Sequence, residues 1–310
     1  MSDYVMGIGA ANMDILGRST NPIIPQDSNP GRMHASPGGV TRNVCENLAR
    51  LGVKTKLLTA LGDDGYADVI RGECARMGID LSQSLVVENH PSSTYLTILD
   101  EKADMYVALS DMSVLQKLDM AFITRSDAAI RGGRLITFDP GLPEAVIDGI
   151  TARYGGVLPI FADPVSSAYA ARLKPYVGRV DTLKPNRMEL EVLSGRPANT
   201  PEEMRAACAV LIEKGVGRVF VSMGARGCFY MDSEGREIAR AFKPLGEMAN
   251  ATGAGDACMA AIIYSYLHGF DIDKTLSYTL AAGIAAITHL STINPSMSAN
   301  LIEQIIRERG

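Results

Sequence analysis

No stretch of the 310 residues is long and apolar enough to span a membrane, and the start Met1-Ser2-Asp3-Tyr4 lacks the basic residues of a signal peptide. No Cys-x-x-Cys pair occurs. The five cysteines (Cys45, Cys74, Cys208, Cys228, Cys258) are scattered and odd in number, which argues against a disulfide framework or a zinc site and suits reduced thiols. The four histidines (His34, His90, His268, His289) share no metal-ligand spacing. Neither a Gly-x-Ser-x-Gly nucleophile motif nor a Gly-x4-Gly-Lys-Ser/Thr phosphate loop is present, so P-loop NTPase chemistry is disfavoured. Internal repeats, low-complexity tracts and clear linkers are also missing. A net charge of -5 argues against a nucleic-acid polymer as partner. What remains is the expectation of a cytoplasmic globular protein, 46% apolar and able to bury a large core.

What is there alternates between strands and helices. Tyr4 to Ala10 reads as a short buried strand, and strand-like runs follow at Met120–Ile123, Arg134–Phe138, Val157–Phe161, Arg179–Leu183 and Arg218–Ser222. Repeated strand–helix units predict a mainly parallel sheet covered by helices on both faces. Ser36-Pro37-Gly38-Gly39 is read as opening a helix that stops at Gly52. Two β-rich segments, 93–99 and 105–109, flank a short polar turn and read as a hairpin. Grouped with residues 15–36, they predict a small separate sheet, a lid over residues 15–36 and 93–110 that would exclude water from reacting groups. Long alanine-rich helices are expected at 256–269 and 273–290, and a last one reaching about Arg307.

Polar groups gather where strands end. Asn12 and Asp14 follow the first strand, Asp139-Pro140-Gly141 and Asp163-Pro164-Val165-Ser166 follow later ones, and Lys184-Pro185-Asn186 and Ser222-Met223-Gly224 follow two more. Open α/β sheets bind ligands at that edge. Gly38 and Gly39 permit close approach to the backbone, and Asn43 can point into the same space. Asn186 and Glu189 stand one helical turn apart, a spacing that serves either a hydrated magnesium ion or a capping box. Gly224 to Gly227 reads by itself as a hairpin turn. Ala281, Ala282 and Gly283 admit close packing by a helix or by an adenine ring, with helix packing favoured. The segment Asn250-Ala251-Thr252-Gly253-Ala254-Gly255-Asp256 enters an apolar helix through two glycines and an alanine. Unpaired amides there form an anion site, and Asp256 in the first turn suits a base that deprotonates a hydroxyl. A plain helix cap explains the same residues equally well.

Taken in order, Gly38-Gly39, Asn186-x-x-Glu189 and Thr252-Gly253-Ala254-Gly255-Asp256 resemble the motifs of ribokinase-like (PfkB-type) carbohydrate kinases, a likeness that covers essentially the whole chain. Within that family, Ala10-Ala11-Asn12-Met13-Asp14-Ile15, Pro37-Gly38-Gly39-Val40-x-Arg42-Asn43, Ser93-Thr94-Tyr95 and Leu183-Lys184-Pro185-Asn186-Arg187 are most similar to the pseudouridine kinase branch. The resemblance implies a single three-layer α/β/α kinase domain over 1–310 with the β-sheet lid. It implies Asp256 as base and the amides of Gly253, Ala254 and Gly255 as an anion hole. Asn12, Asp14, Gly38, Gly39 and Asn43 would hold the ribose, with Tyr95 closing over it. Asn186, Ser222, Gly224, Gly227, Thr252 and Ala282 would line the ATP site, and Asn186 with Glu189 would organise Mg2+ through water. The implied substrate is pseudouridine, phosphorylated on its 5'-hydroxyl; ribose, fructose or adenosine and a non-catalytic sensor are the alternatives. Two residues depart from the pattern. Asn250 stands where many ribokinases have the Asp linked to a monovalent-cation site, which leaves K+ open. The resemblance also implies a lysine near Tyr169, shortly after Asp163-Pro164-Val165-Ser166, so Tyr169 is expected to alter base recognition. A homodimer through the lid is also expected, because its strand edges would be exposed.

Overall fold

Two-residue alternation is visible strand by strand in the computed structural model, which describes residues 3–243 and 252–310. The first half contains β1 (Tyr4–Ile8), β2 (Asn12–Ser19), β3 (Gly31–Gly38), α1 (Val40–Arg50), β4 (Lys54–Leu58) and β5 (Ala60–Leu61). These are followed by α2 (Gly65–Arg76), β6 (Ile79–Asp80), β7 (Leu85–Val86), β8 (Thr94–Leu99) and β9 (Met105–Asp111). The central units are α3 (Met120–Arg125), α4 (Asp127–Gly132), β10 (Ile136–Phe138), α5 (Glu144–Tyr154), β11 (Ile160–Ala162), α6 (Ser167–Leu173) and β12 (Thr182–Leu183). The last third holds α7 (Arg187–Ser194), α8 (Pro201–Glu213), β13 (Arg218–Ser222), β14 (Cys228–Asp232), β15 (Glu237–Arg240), α9 (Ala254–Leu267), α10 (Ile272–Ile287) and α11 (Ala299–Arg309).

Nine strands form the main sheet in the order β15-β14-β13-β12-β11-β10-β1-β4-β6. From β6 to β13 every pairing is parallel, and β14 and β15 close one edge antiparallel. Successive residues of a strand point to opposite faces. Met6 and Ile8, Ile160 and Ala162, and Val219 and Val221 therefore pack beneath α5, α7 and α8. Val5, Phe161 and Phe220 instead meet α1, α9 and α10 on the other face. Burial on both faces accounts for the short strands with continuous apolar centres and makes the architecture three-layer α/β/α. All five cysteines are free thiols, and four of them are buried. Among the described residues no helix is long and apolar enough to cross a membrane.

A second sheet, in the order β3-β2-β8-β9, rises from the carboxyl end of β1. It contains the two expected segments, and its central pairing, β2 with β8, is parallel. Two expectations are corrected, and one strand is added. Met120–Ile123 is helical, because Asp119 caps the first turn by accepting the Phe122 amide at 2.7 Å. Ser36 and Pro37 finish strand β3 and open no helix; α1 starts only after Gly39, whose φ of 98° turns the chain. Strand β15, Glu237–Arg240, was not expected, since its polar sequence Glu-Ile-Ala-Arg carries little strand signal.

Candidate active site

Strands β1, β10, β11 and β12 are neighbours, so their carboxyl ends bring residues distant in sequence to one edge. Asp139 follows β10 and is wholly consumed in the fold. It accepts from the Ala10 amide at 2.8 Å, the Gly141 amide at 2.9 Å and the Thr41 hydroxyl at 2.6 Å, tying the end of β1 to the start of α1. Gly39 completes that junction, since a Cβ there would lie 2.5 Å from the Ala10 carbonyl oxygen.

Asp256 lies in the first turn of α9, 8% exposed, and accepts a hydrogen bond from Asn43 Nδ2 at 2.8 Å. Burial, reinforced by the charge of Asp163, raises its carboxyl to about 8; the Asn43 donor and the Lys184 ammonium oppose the rise, while Asp14 adds to it. A carboxyl of that acidity is ionised in a useful fraction near neutrality and is a strong enough base for a hydroxyl proton. The residue before the helix, Gly253, has φ of 84°, and a Cβ on it would meet the Thr292 carbonyl oxygen at 2.0 Å, so glycine is required there. The first described bond of the α9 ladder runs from Ala257 N to the Gly253 carbonyl oxygen, so the amides ahead of it lie at the positive end of the helix dipole.

Beside this turn, Lys184 Nζ and Asp163 Oδ2 form a buried ion pair at 3.0 Å. Burial alone would lower the Lys184 ammonium, but Asp163 and Glu189 carry it above its ordinary value, so it remains charged. A Cβ on Gly255 would sit 3.4 Å from Lys184 Nζ, which places the ammonium against the same helix start. The turn after Asp163 is strained: Val165, a β-branched residue, holds φ of 68°. Neither Asp163 nor Lys184 was singled out as a site residue from sequence. Their signal was present, a charged residue directly after a buried strand, but their pairing requires β11 and β12 to be adjacent.

The sugar-side residues form a second group. Asn12 Nδ2 donates to Asp14 Oδ1 at 2.7 Å, and burial raises the Asp14 carboxyl against that donor and the charge of Arg42. Gly38 leaves room for Asp14, since a Cβ there would fall 2.2 Å from Asp14 Oδ2. Tyr95 pairs in register with Asp14, so both project from one face of the small sheet. Asn186 and Ser222 are bridged across the ends of β12 and β13. Asn186 and Glu189 form the capping box. Asn186 N and Nδ2 donate to the Glu189 carboxylate at 2.8 and 2.7 Å, and Glu189 N donates to Asn186 Oδ1 at 3.0 Å. Burial, then the charge of Asp163, raises the Glu189 carboxyl while Lys184 opposes the rise.

Other expected residues fall differently. Gly224 is exposed, with open space around it. Gly227 is buried, and a Cβ there would strike the Arg240 carbonyl oxygen at 2.0 Å, so its glycine serves the β14–β15 edge. Ala282 has no exposed surface; it is buried in the seam of α9, α10 and α11, which is helix packing and leaves a nucleotide nothing of it to touch. Thr252 is exposed just ahead of α9, whereas Asn250 lies outside the described residues. Tyr169 sits on α6 with the Arg172 guanidinium 5.6 Å from its ring centre. Among the described residues no three His, Cys, Asp or Glu side chains are grouped to ligate a metal directly. A cavity of about 270 Å³ lined by Arg218, Tyr230 and Tyr266 lies toward the opposite end of β13 and α9, away from Asp256.

Known proteins resemble this chain in sequence and fold. Over 304 residues, 98% of this chain and 96% of the relative, the sequence is 33% identical to pseudouridine kinase of Escherichia coli strain K12. The fold matches a crystal structure described as a sugar kinase from Clostridium perfringens with a TM-score of 0.89 at 28% identity, covering 100% and 97% of the two chains. It also matches an E. coli protein described as a ribokinase II, solved in complex with ATP and Mg2+, with a TM-score of 0.84 at 22% identity over 99% and 100% of the chains. The pattern of the pfkB family carbohydrate kinases matches residues 2–300, and the chain belongs to that family of phosphotransferases, which act on a hydroxyl group of a sugar or nucleoside.

Proposed function

We propose that this protein transfers the terminal phosphoryl group of ATP to the 5'-hydroxyl of pseudouridine, giving pseudouridine 5'-phosphate. The observation that carries the reading is the buried Asp256 in the first turn of α9, held by Asn43 at the positive end of that helix. In this reading Asp256 takes the hydroxyl proton as the hydroxyl oxygen attacks the phosphorus, and ADP departs with the bridging oxygen. The amides of Gly253, Ala254 and Gly255, with Lys184 close behind, oppose the negative charge on the transferring group. Asn12, Asp14, Gly38, Gly39 and Asn43 hold the ribose, and the small sheet with Tyr95 covers it. Asn186, Ser222, Gly224 and Thr252 border the nucleotide.

The Asn186–Glu189 box offers only oxygen and amide groups, the chemistry that suits a hydrated Mg2+ held through water. Each carboxylate oxygen of Glu189 keeps a further lone pair for that purpose. When bound, Mg2+ would neutralise phosphate charge. K+ dependence turns on Asn250 and is assigned no residue.

Likeness to the E. coli pseudouridine kinase supports the substrate. A second reading, the same reaction on another nucleoside or sugar, is favoured by Tyr169 standing where that branch is expected to carry lysine. Incubating the purified protein with MgATP and a panel of pseudouridine, uridine, adenosine, ribose and fructose separates the two. Pseudouridine should show the highest kcat/KM; a higher value for any other acceptor would overturn the narrow assignment. Tight sugar binding with no ADP release across the panel would instead favour a sensor.

Strand β9 ends the small sheet with Met105 and Leu109 62% and 65% exposed. We propose that this apolar edge pairs with its copy in a second subunit.

A further inference from the structure

Arg42 is one of the largest fully buried side chains, 2% exposed in the first turn of α1. Among the described residues no hydrogen bond or ion pair joins it to Asp256. Its Nη1 donates to Asn43 Oδ1 and to the Pro37 carbonyl oxygen, both at 3.0 Å, and its Nη2 is ion-paired with Glu46. Glu46 is also held by Arg50 at 2.7 Å, so it does not depend on Arg42 for a partner.

A guanidinium has donors and no acceptor. The atom of the Asn43 amide facing Arg42 must therefore be the oxygen, and the nitrogen must face Asp256. Were the amide turned over, its carbonyl oxygen would confront the Asp256 carboxylate, and the contact would form only with Asp256 protonated. Resting on Asp256 as the base, we propose that Arg42 is a positioning residue that locks the Asn43 amide with its N–H toward Asp256 and so keeps the base ionisable. Its bond to Pro37, at the end of β3, anchors that lock to the junction between the small sheet and α1.

The charged and titratable groups facing Asp256 are Asp163 after β11, Lys184 after β12, Asp14 on β2 and Cys258 on its own helix. Among the described residues none of them is hydrogen-bonded to the Arg42 guanidinium, although its charge favours the ionised form of Asp14. Asn43 favours the ionised form of Asp256, and its donor lowers the carboxyl against the effect of burial. Loss of the lock should raise it.

The test is the pH dependence of kcat/KM in Arg42→Met, Asn43→Ala and the double variant, with folding checked by circular dichroism. The acid limb should move upward by about one pH unit in each single variant. The double variant should match Asn43→Ala, because removing Arg42 raises no barrier to ionisation except through the amide: its other link, a charge that keeps Asp14 ionised, would on removal lower the Asp256 carboxyl rather than raise it. Arg42→Lys keeps a charged donor and should restore part of the shift, which keeps the test decisive if Arg42→Met does not fold. A uniform loss of rate at every pH, or shifts that add in the double variant, would overturn the proposal. Loss of turnover in Asp256→Asn alongside an unmoved limb in Arg42→Met would sink the positioning role while leaving the base intact.

Discussion

Asp256→Asn should stabilise the protein, and the gain should depend on pH. The carboxyl titrates near the ordinary 3.8 when unfolded and at about 8 when folded, because burial and the charge of Asp163 disfavour the anion. Between those values the folded state holds a proton that the unfolded state has released, so native stability falls as pH rises, and the loss is complete above the folded value. Asparagine is nearly isosteric, carries no titrating group, and its oxygen can still accept from Asn43 Nδ2. Each unit of displacement corresponds to about 1.4 kcal/mol. The stability gap between the variant and the natural protein should therefore widen by about 1.4 kcal/mol per pH unit from pH 5 to pH 8, about 4 kcal/mol in all, then stay level. Urea unfolding at several pH values measures this gap, and titrations common to both proteins cancel. A gap that stays constant with pH would show that Asp256 ionises as an ordinary carboxylate, and the argument from burial would be wrong.

Two further outcomes follow from the geometry. Lys184→Met leaves Asp163 buried without its cation and should cost about 3–5 kcal/mol in urea unfolding, most of it recovered in Lys184→Met/Asp163→Asn; a loss below about 1 kcal/mol would mean the pair is hydrated. Leu109→Asp on the exposed face of β9 should convert a dimer to a monomer by analytical ultracentrifugation, and a monomeric natural protein would contradict pairing through that edge.

The layered fold was legible because strands such as β13 carry a continuous apolar centre, Val219-Phe220-Val221, which two covered faces require. The polar residues after those strands marked the site for the same reason: a chain leaving the core toward a ligand changes character abruptly. Met120–Ile123 misled because a four-residue apolar run fits a strand or one helical turn equally, and the deciding feature was the cap at Asp119. Ser36 resembled a helix cap, but the ladder with β2 claims it, since Asp14 pairs with Ser36. The Asp163–Lys184 pair and the hold of Asn43 on Asp256 were not legible. They join residues 21 and 213 positions apart, and only strand order and the placing of α9 over α1 bring them together. Ala282 shows the opposite limit, a small residue whose partner, helix or ring, composition does not distinguish.

The measurement that bears most directly on the account is turnover of Asp256→Asn with saturating MgATP and pseudouridine, alongside its ATP affinity. Removing a general base should lower kcat by at least about 10²-fold while ATP binds within a few-fold of the natural affinity. Near-normal turnover in that variant would contradict Asp256 as the base and, with it, the proposed chemistry at the head of α9.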